Sequence, residues 1–289
     1  MTNTPKTVLA IHDLPGFGRA ALSVIVPVLS TLGVQTVALT TAVLSTHTGG
    51  LGTPAKLANP GYGPVALEHY HRLGVKFDCI YSGYLADAAQ AKLVEQAFEL
   101  WPRAFKVVDP VLGDGGRLYS GLGADMVPAM YSLCSKADLI VPNVTEAALL
   151  LDVPMPAPLS RREAVDMLDA LHRVTDGDAV ITSALLRDYP DSVCTIARDE
   201  ESAFAVVAPR VPGTYPGAGD IFTSVLTGAL LRGEVLPAAV RRAAAFVSRC
   251  MVYTHEAGAP TREGVLLERC LAHVLDAPEG VRTVPLREG

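Results

Sequence analysis

The sequence predicts an α/β fold: a central, mostly parallel sheet with helices on both faces. Three observations carry this. Short β-branched runs alternate with longer stretches of helical spacing along the 289 residues, the order that a parallel sheet with crossover helices requires. Hydrophobic residues make up 49% of the chain, enough for strands buried on both faces. Late in the chain two apolar runs follow each other with no helix between them, which predicts an antiparallel hairpin at a sheet edge.

In order, strands are expected at residues 8–11 and 34–43, and as short runs at 79–82, 106–109, 139–142 and 180–183. Residues 193–196 and 204–207 form the hairpin. Helical spacing covers 20–32, where Pro27 predicts a kink or break. It returns at 64–73, 87–101, 123–135, 146–151 and 161–174. Two helices close the fold at 221–232 and 237–255, with Pro237 suited to a first turn. The chain reads as one domain over 1–289, with a core at 7–256 and a C-terminal extension at 257–289. No internal repeat or long linker interrupts it.

Composition narrows the function classes. The net charge is −6 with no basic stripe, which argues against nucleic acid as a partner. The 5 cysteines are scattered without a C-x-x-C pair, so neither a disulfide framework nor a zinc knuckle is expected. That usage fits a reducing, cytoplasmic setting. The N-terminus has no signal-peptide layout. No apolar run approaches the ~20 residues needed to span a bilayer.

The sharpest chemical signal is Pro216-Gly217-Ala218-Gly219-Asp220 at the head of a helix. Glycines there leave backbone N–H groups open, and the helix dipole adds positive potential, so Gly217, Ala218 and Gly219 outline an anion hole. Asp220 has two readings. It caps the helix, or it is a general base taking a proton from a substrate hydroxyl beside the transferred phosphoryl group.

Further acids close other strands. Asp109-Pro110-Val111-Leu112-Gly113-Asp114 follows one strand, where ligands of open α/β sheets collect. Its two acids suit Mg²⁺ beside ATP phosphates, or an ordinary β-turn. Asn143-Val144-Thr145-Glu146 follows the next. Asn143 and Glu146 have capping-box spacing and are also candidates for the nucleotide phosphates and their metal. Thr182 and Ser183 close a further strand and could contact the nucleotide.

Gly16-Phe17-Gly18-Arg19-Ala20-Ala21 matches a dinucleotide fingerprint. That fingerprint needs an acid about 20 residues on, and none stands between Leu14 and Leu67. These glycines are expected instead to wall a substrate pocket beside His12 and Asp13. His69 and His71 are two apart, so they do not share a helix face and predict no metal site. His47 lies in a small polar loop that is either plain surface or a substrate-contacting lid.

Taken together, these ordered motifs resemble the pyridoxal kinases of the ribokinase-like superfamily from about residue 8 to residue 254. Thr46-His47-Thr48-Gly49 resembles the vitamer-binding H-T-G loop, and Ser82-Gly83-Tyr84 the segment beside the substrate ring. Asp109 to Asp114 resembles D-P-V-x-G-D. Tyr119 falls at a flap tyrosine, Pro142-Asn143 to Glu146 resembles P-N-x-x-E, and Ile181-Thr182-Ser183 resembles a nucleotide-contacting strand end. Gly217-Ala218-Gly219-Asp220 resembles G-T-G-D, whose aspartate is the family's base. Two departures stand out. Ala218 replaces a frequent Thr, and Asp13 lies near a position where a Ser faces the pyridine ring, which opens the choice among pyridoxal, pyridoxine and pyridoxamine.

The resemblance implies a ribokinase-like three-layer sandwich and ATP-dependent phosphorylation of a B6 vitamer at its 5′-hydroxymethyl group, a step of vitamin B6 salvage giving pyridoxal 5′-phosphate or its analogue. It implies catalysis by Asp220 with the Gly217, Ala218 and Gly219 backbone. Asp13, His47, Thr48, Tyr84 and Tyr119 would bind the vitamer. Asp109, Asn143, Glu146, Thr182 and Ser183 would bind the nucleotide, with Asp114 and Glu146 at Mg²⁺. A monovalent cation and a homodimer are further implications. Two other readings stay open: a hydroxymethylpyrimidine or sugar kinase with the same chemistry, and a non-catalytic binding protein, against which the retained Asp220 and acid set argue.

Overall fold

A computed structural model describes residues 4–58, 60–155, 158–175, 177–199 and 202–286. The chain runs through β1 (Thr7–Phe17), α1 (Leu22–Thr31), β2 (Gln35–Thr46), β3 (Lys56–Ala58), α2 (Tyr62–Arg72), β4 (Cys79–Ser82), α3 (Ala88–Leu100) and β5 (Phe105–Val108). A small hairpin follows, β6 (Gly113–Asp114) and β7 (Arg117–Leu118), then α4 (Met126–Cys134), β8 (Leu139–Ile140), α5 (Val144–Leu150) and α6 (Arg161–Thr175). The rest is β9 (Asp178–Ala184), β10 (Ser192–Arg198), β11 (Ala203–Pro209), α7 (Ala218–Leu231), α8 (Leu236–Glu256), α9 (Leu267–Cys270) and β12 (Arg282–Pro285).

The ten-stranded sheet has the order β12-β11-β10-β9-β8-β5-β4-β1-β2-β3. Its centre, β9 through β2, is parallel, and both margins turn antiparallel. The expected hairpin is β10–β11, but β12 pairs beyond it. Alternation sorts the strand side chains. Leu9, Ile11, Ile80 and Ile140 enter one core under α2 to α6, while Val8, Ala10, Tyr81 and Leu139 enter the other under α1, α7 and α8. Two apolar cores about one sheet make the three-layer sandwich, and they explain why the parallel strands read as unbroken apolar runs.

Two local expectations are corrected. α1 passes through Pro27 without a break. Proline removes the bond to the carbonyl four residues back and crowds that carbonyl, but Val24, Ile25, Val28 and Leu29 of α1 are buried, so packing holds the helix. β1 also continues to Phe17, pairing with β2 up to Thr46. Gly16 and Phe17 therefore lie within a strand, and Ala20 and Ala21 line the pocket in place of the two glycines.

Candidate active site

The irregular middle of β1, at His12 and Asp13, and the ends of β4, β5, β8 and β9 open onto one cleft of about 650 Å³ beside the head of α7. A ligand-sized cleft at the carboxyl ends of parallel strands is where α/β sheets bind small molecules. Each candidate site residue of the sequence analysis lines it, from Asp13 and His47 through Asp109 and Asp114 to Ser183 and Asp220.

α7 starts at Gly217, which is left-handed at φ 80. A Cβ there would collide with the Arg19 carbonyl oxygen, so glycine lets residues 19–21 pack onto the helix head. The Ala218 N–H is spent on the Tyr215 carbonyl at 3.2 Å. Gly219 and Asp220 then carry first-turn donors without intrahelical acceptors, and Gly219 faces open space.

Asp220 does not cap α7, which has no side-chain cap bond. Its Oδ2 accepts the Ala21 N–H at 2.7 Å, and its Oδ1 lies 3.1 Å from His12 Nε2. Ala21 reaches that carboxylate from a positive φ of 53. An alanine in that region costs about 1–3 kcal/mol and persists only where its surroundings hold it. His12 Nδ1 in turn lies 2.7 Å from Asp13 Oδ1. Burial alone would lower the imidazole's pKa, but the Asp220 and Asp13 carboxylates outweigh it and raise it to about 10.

Across the cleft the acids are knitted to backbone. Glu146 completes a capping box: it accepts the Asn143 N–H at 2.8 Å while Asn143 Oδ1 accepts the Glu146 N–H at 3.0 Å. Its other oxygen accepts the Leu112 N–H at 3.1 Å. Asn143 Nδ2 donates to the Gly113 carbonyl at 2.9 Å. The 109–114 segment is thus tied to α5. Burial, then Asp109, push the Glu146 carboxyl well above the usual range. Asp109 accepts the Thr223 hydroxyl at 2.8 Å. Burial and Asp220 push Asp109 up to about 7, against the lowering pull of Thr223 and His12. Asp114 is exposed on β6, one oxygen accepting the Gly115 N–H at 2.7 Å.

Tyr84 sends its N–H to His12 Nε2 at 3.2 Å. His47 is buried, and its Nδ1 accepts the Gly49 N–H at 3.0 Å. Burial lowers its pKa, which favours the neutral ring that accepts this bond and holds the 47–49 turn. Thr48 and Tyr119 stand on the cleft wall. Thr182 bridges to Asn143, and Ser183 adopts a positive φ of 59. Sequence reading did not assign roles to His12, Ala21, Thr223 or Arg210, all of which line the cleft. Thr223 stands three residues after Asp220, a same-face helical spacing that could have found it.

Among the described residues the cleft is lined by five carboxylates, Asp13, Asp109, Asp114, Glu146 and Asp220, against one arginine, Arg210. Such a hard-oxygen, acidic site suits Mg²⁺ held jointly with phosphates. Among the described residues no group of three His, Cys, Asp or Glu could hold a metal ion alone, so phosphate and water would complete its shell.

Sheet, helix head and acid set define a ribokinase-like small-molecule kinase. The phosphomethylpyrimidine kinase family model matches residues 63–263. A Bacteroides thetaiotaomicron protein of phosphomethylpyrimidine-kinase type, solved with pyridoxal, superposes with a TM-score of 0.92 at 36% identity, covering 97% of this chain and 100% of that one. Pyridoxal kinase of Lactobacillus plantarum superposes at 0.86 with 34% identity, over 93% and 96% of the two chains. A pyridoxal kinase of Rubrobacter xylanophilus is 28% identical over 270 residues, covering 87% of this chain and 89% of that protein. The chain belongs to the phosphomethylpyrimidine kinase family.

Proposed function

We propose that this kinase transfers the γ-phosphoryl group of ATP to the 5′-hydroxymethyl group of a B6 vitamer. The observation that carries the reading is the Asp220 carboxylate, held from both sides by His12 and the Ala21 N–H, next to the open helix head at Gly219. Asp220 takes the hydroxyl proton. The alkoxide oxygen forms its bond to the γ-phosphorus as the bond to ADP breaks, and the Gly219 and Asp220 N–H groups balance the charge on the phosphoryl oxygens. Asp114 and Glu146 would hold Mg²⁺, which neutralises phosphate charge when bound. Asn143, Thr182 and Ser183 would position the nucleotide. His47, Thr48, Tyr84 and Tyr119 would surround the ring, with Asp13 on the far wall. Relatives named pyridoxal kinases, and the neighbour solved with pyridoxal, support the substrate class.

The cytoplasmic setting is supported by five cysteines that are all free, and no described helix is long and apolar enough to cross a membrane. A homodimer is supported by the exposed cross-strand row Leu14, Val43 and Leu57 on β1, β2 and β3.

The test is ADP release with ATP and Mg²⁺, in K⁺ or Na⁺, over pyridoxal, pyridoxine, pyridoxamine, hydroxymethylpyrimidine and ribose. Turnover with a B6 vitamer is expected. Turnover with the pyrimidine alone would move the substrate to the pyrimidine class for which the family is named.

A further inference from the structure

His12 is buried at 2% exposure and Asp13 at 6%. The ring has little room to move. The Tyr81 ring meets it edge-on at 6.3 Å, and a Cβ at Gly83 would collide with it. Its nitrogens face opposite carboxylates, Nδ1 to Asp13 at 2.7 Å and Nε2 to Asp220 at 3.1 Å. Ionised carboxylates only accept hydrogen bonds, so satisfying both requires a proton on both nitrogens. Two backbone N–H groups, of Asp13 and Tyr84, also approach the ring at 3.0 and 3.2 Å. They oppose the doubly protonated form, but a neutral dipole is a weaker partner than a full charge.

We infer that His12 is a positioning residue for Asp220: clamped by Asp13, its imidazolium fixes the orientation of the Asp220 carboxylate and supplies the cation nearest the reacting end of an acid-rich cleft. The inference rests on Asp220 being the base proposed above. With Oδ1 on His12 and Oδ2 on the Ala21 N–H, the carboxylate cannot rotate away from the space in front of Gly219. Among the described residues Arg210 is the only other cationic side chain in the cleft lining, so without His12 five acids and a triphosphate would share one arginine. Around the ring, the titratable groups are Asp13 on β1, Asp220 on α7, Asp109 after β5 and the Tyr81 phenol on β4.

Two measurements test this. Side-chain ¹⁵N NMR of the whole protein, with the His12 signal assigned by its loss in His12→Gln, is expected to show both ring nitrogens protonated through pH 8. The titration should move to lower pH in Asp220→Asn and in Asp13→Asn. Kinetics of Asp13→Asn, which keeps the shape and an acceptor but not the charge, should show kcat down about 10–100-fold. KM for ATP should be unchanged, and the alkaline limb of kcat should move to lower pH as His12 loses its proton earlier. A purely structural histidine would not move that limb. His12→Gln is read in the same way if Asp13→Asn does not fold. A His12 ring that titrates near the ordinary value of about 6.5, or an Asp13→Asn enzyme with wild-type kcat and limb, would overturn the inference. If no B6 vitamer is phosphorylated while His12 is an imidazolium that responds to Asp220→Asn, the substrate reading falls and the clamp stands.

Discussion

His12 Nε2 sits 3.1 Å from Asp220 Oδ1, joining the middle of the first strand to the head of the helix that carries the proposed base. The contact closes a chain from Asp13 through His12 to Asp220, with the Ala21 N–H on the far oxygen at 2.7 Å. Asp220 is therefore held by two elements that do not depend on the nucleotide, and its chemistry can be removed without removing ATP binding.

Asp220→Asn is expected to lower kcat roughly 10²–10⁴-fold, the range lost with a general base, while calorimetry with ATP and Mg²⁺ gives wild-type affinity. Asparagine still accepts the Ala21 N–H, so the 19–21 turn stays in place. Near-native turnover by this variant would remove the base assignment.

The two glycines at the head of α7 should separate on mutation. Gly217→Ala places a Cβ against the Arg19 carbonyl at a left-handed φ of 80, and should cost about 1–3 kcal/mol. That is a fall in Tm of roughly 2–4 °C per kcal/mol for a chain of this size. Gly219→Ala meets nothing within 4 Å and exchanges a helical glycine for alanine, so stability should hold or rise by about 0.5–1 kcal/mol. If the phosphoryl group occupies that open space, its activity nevertheless falls. Wild-type turnover by Gly219→Ala would place the phosphoryl group elsewhere.

These contrasts show what a sequence can and cannot display. Strand 79–82 coincides with β4 because an apolar run between polar ends is a local signal. The acids and glycines of the cleft were visible because each ends a strand or heads a helix. His12 was placed beside the pocket, but its role was not visible, since nothing near Ile11 or Asp13 says that Asp220 lies beside it. β12 carries no apolar alternation and is held by pairing with β11. The β6–β7 hairpin was missed, although Gly115-Gly116, both at positive φ, is a hairpin signature.

Asp114 offers a clean test of the metal because it is exposed and its main bond is to its neighbour Gly115. Asp114→Asn should leave Tm unchanged and raise the Mg²⁺ concentration needed for half-maximal ADP release. Glu146→Gln should differ. The carboxylate accepts N–H groups from Asn143 and Leu112, and glutamine's amide nitrogen cannot accept either, so Tm falls as well. An Asp114→Asn enzyme with an unaltered Mg²⁺ dependence would take Asp114 out of the metal site.

Asp109 links the cleft's charge to stability. Its buried carboxyl is raised to about 7 by burial and by Asp220. Between the ordinary carboxylate range and that value the native state keeps a proton that the unfolded chain has lost. Stability from this group is therefore full below the unfolded value, about 3.9, and disappears as pH rises through about 7. Asp109→Asn carries no such proton and still accepts the Thr223 hydroxyl. Its Tm advantage over wild type should be small at pH 5 and grow toward pH 8, by an amount on the order of a few kcal/mol at full ionisation, while kcat falls. Scanning calorimetry of both proteins between those pH values reads the difference directly. A gap that stays constant would mean that Asp109 ionises in the folded protein without penalty, with counter-charge reaching it from His12 or the solvent.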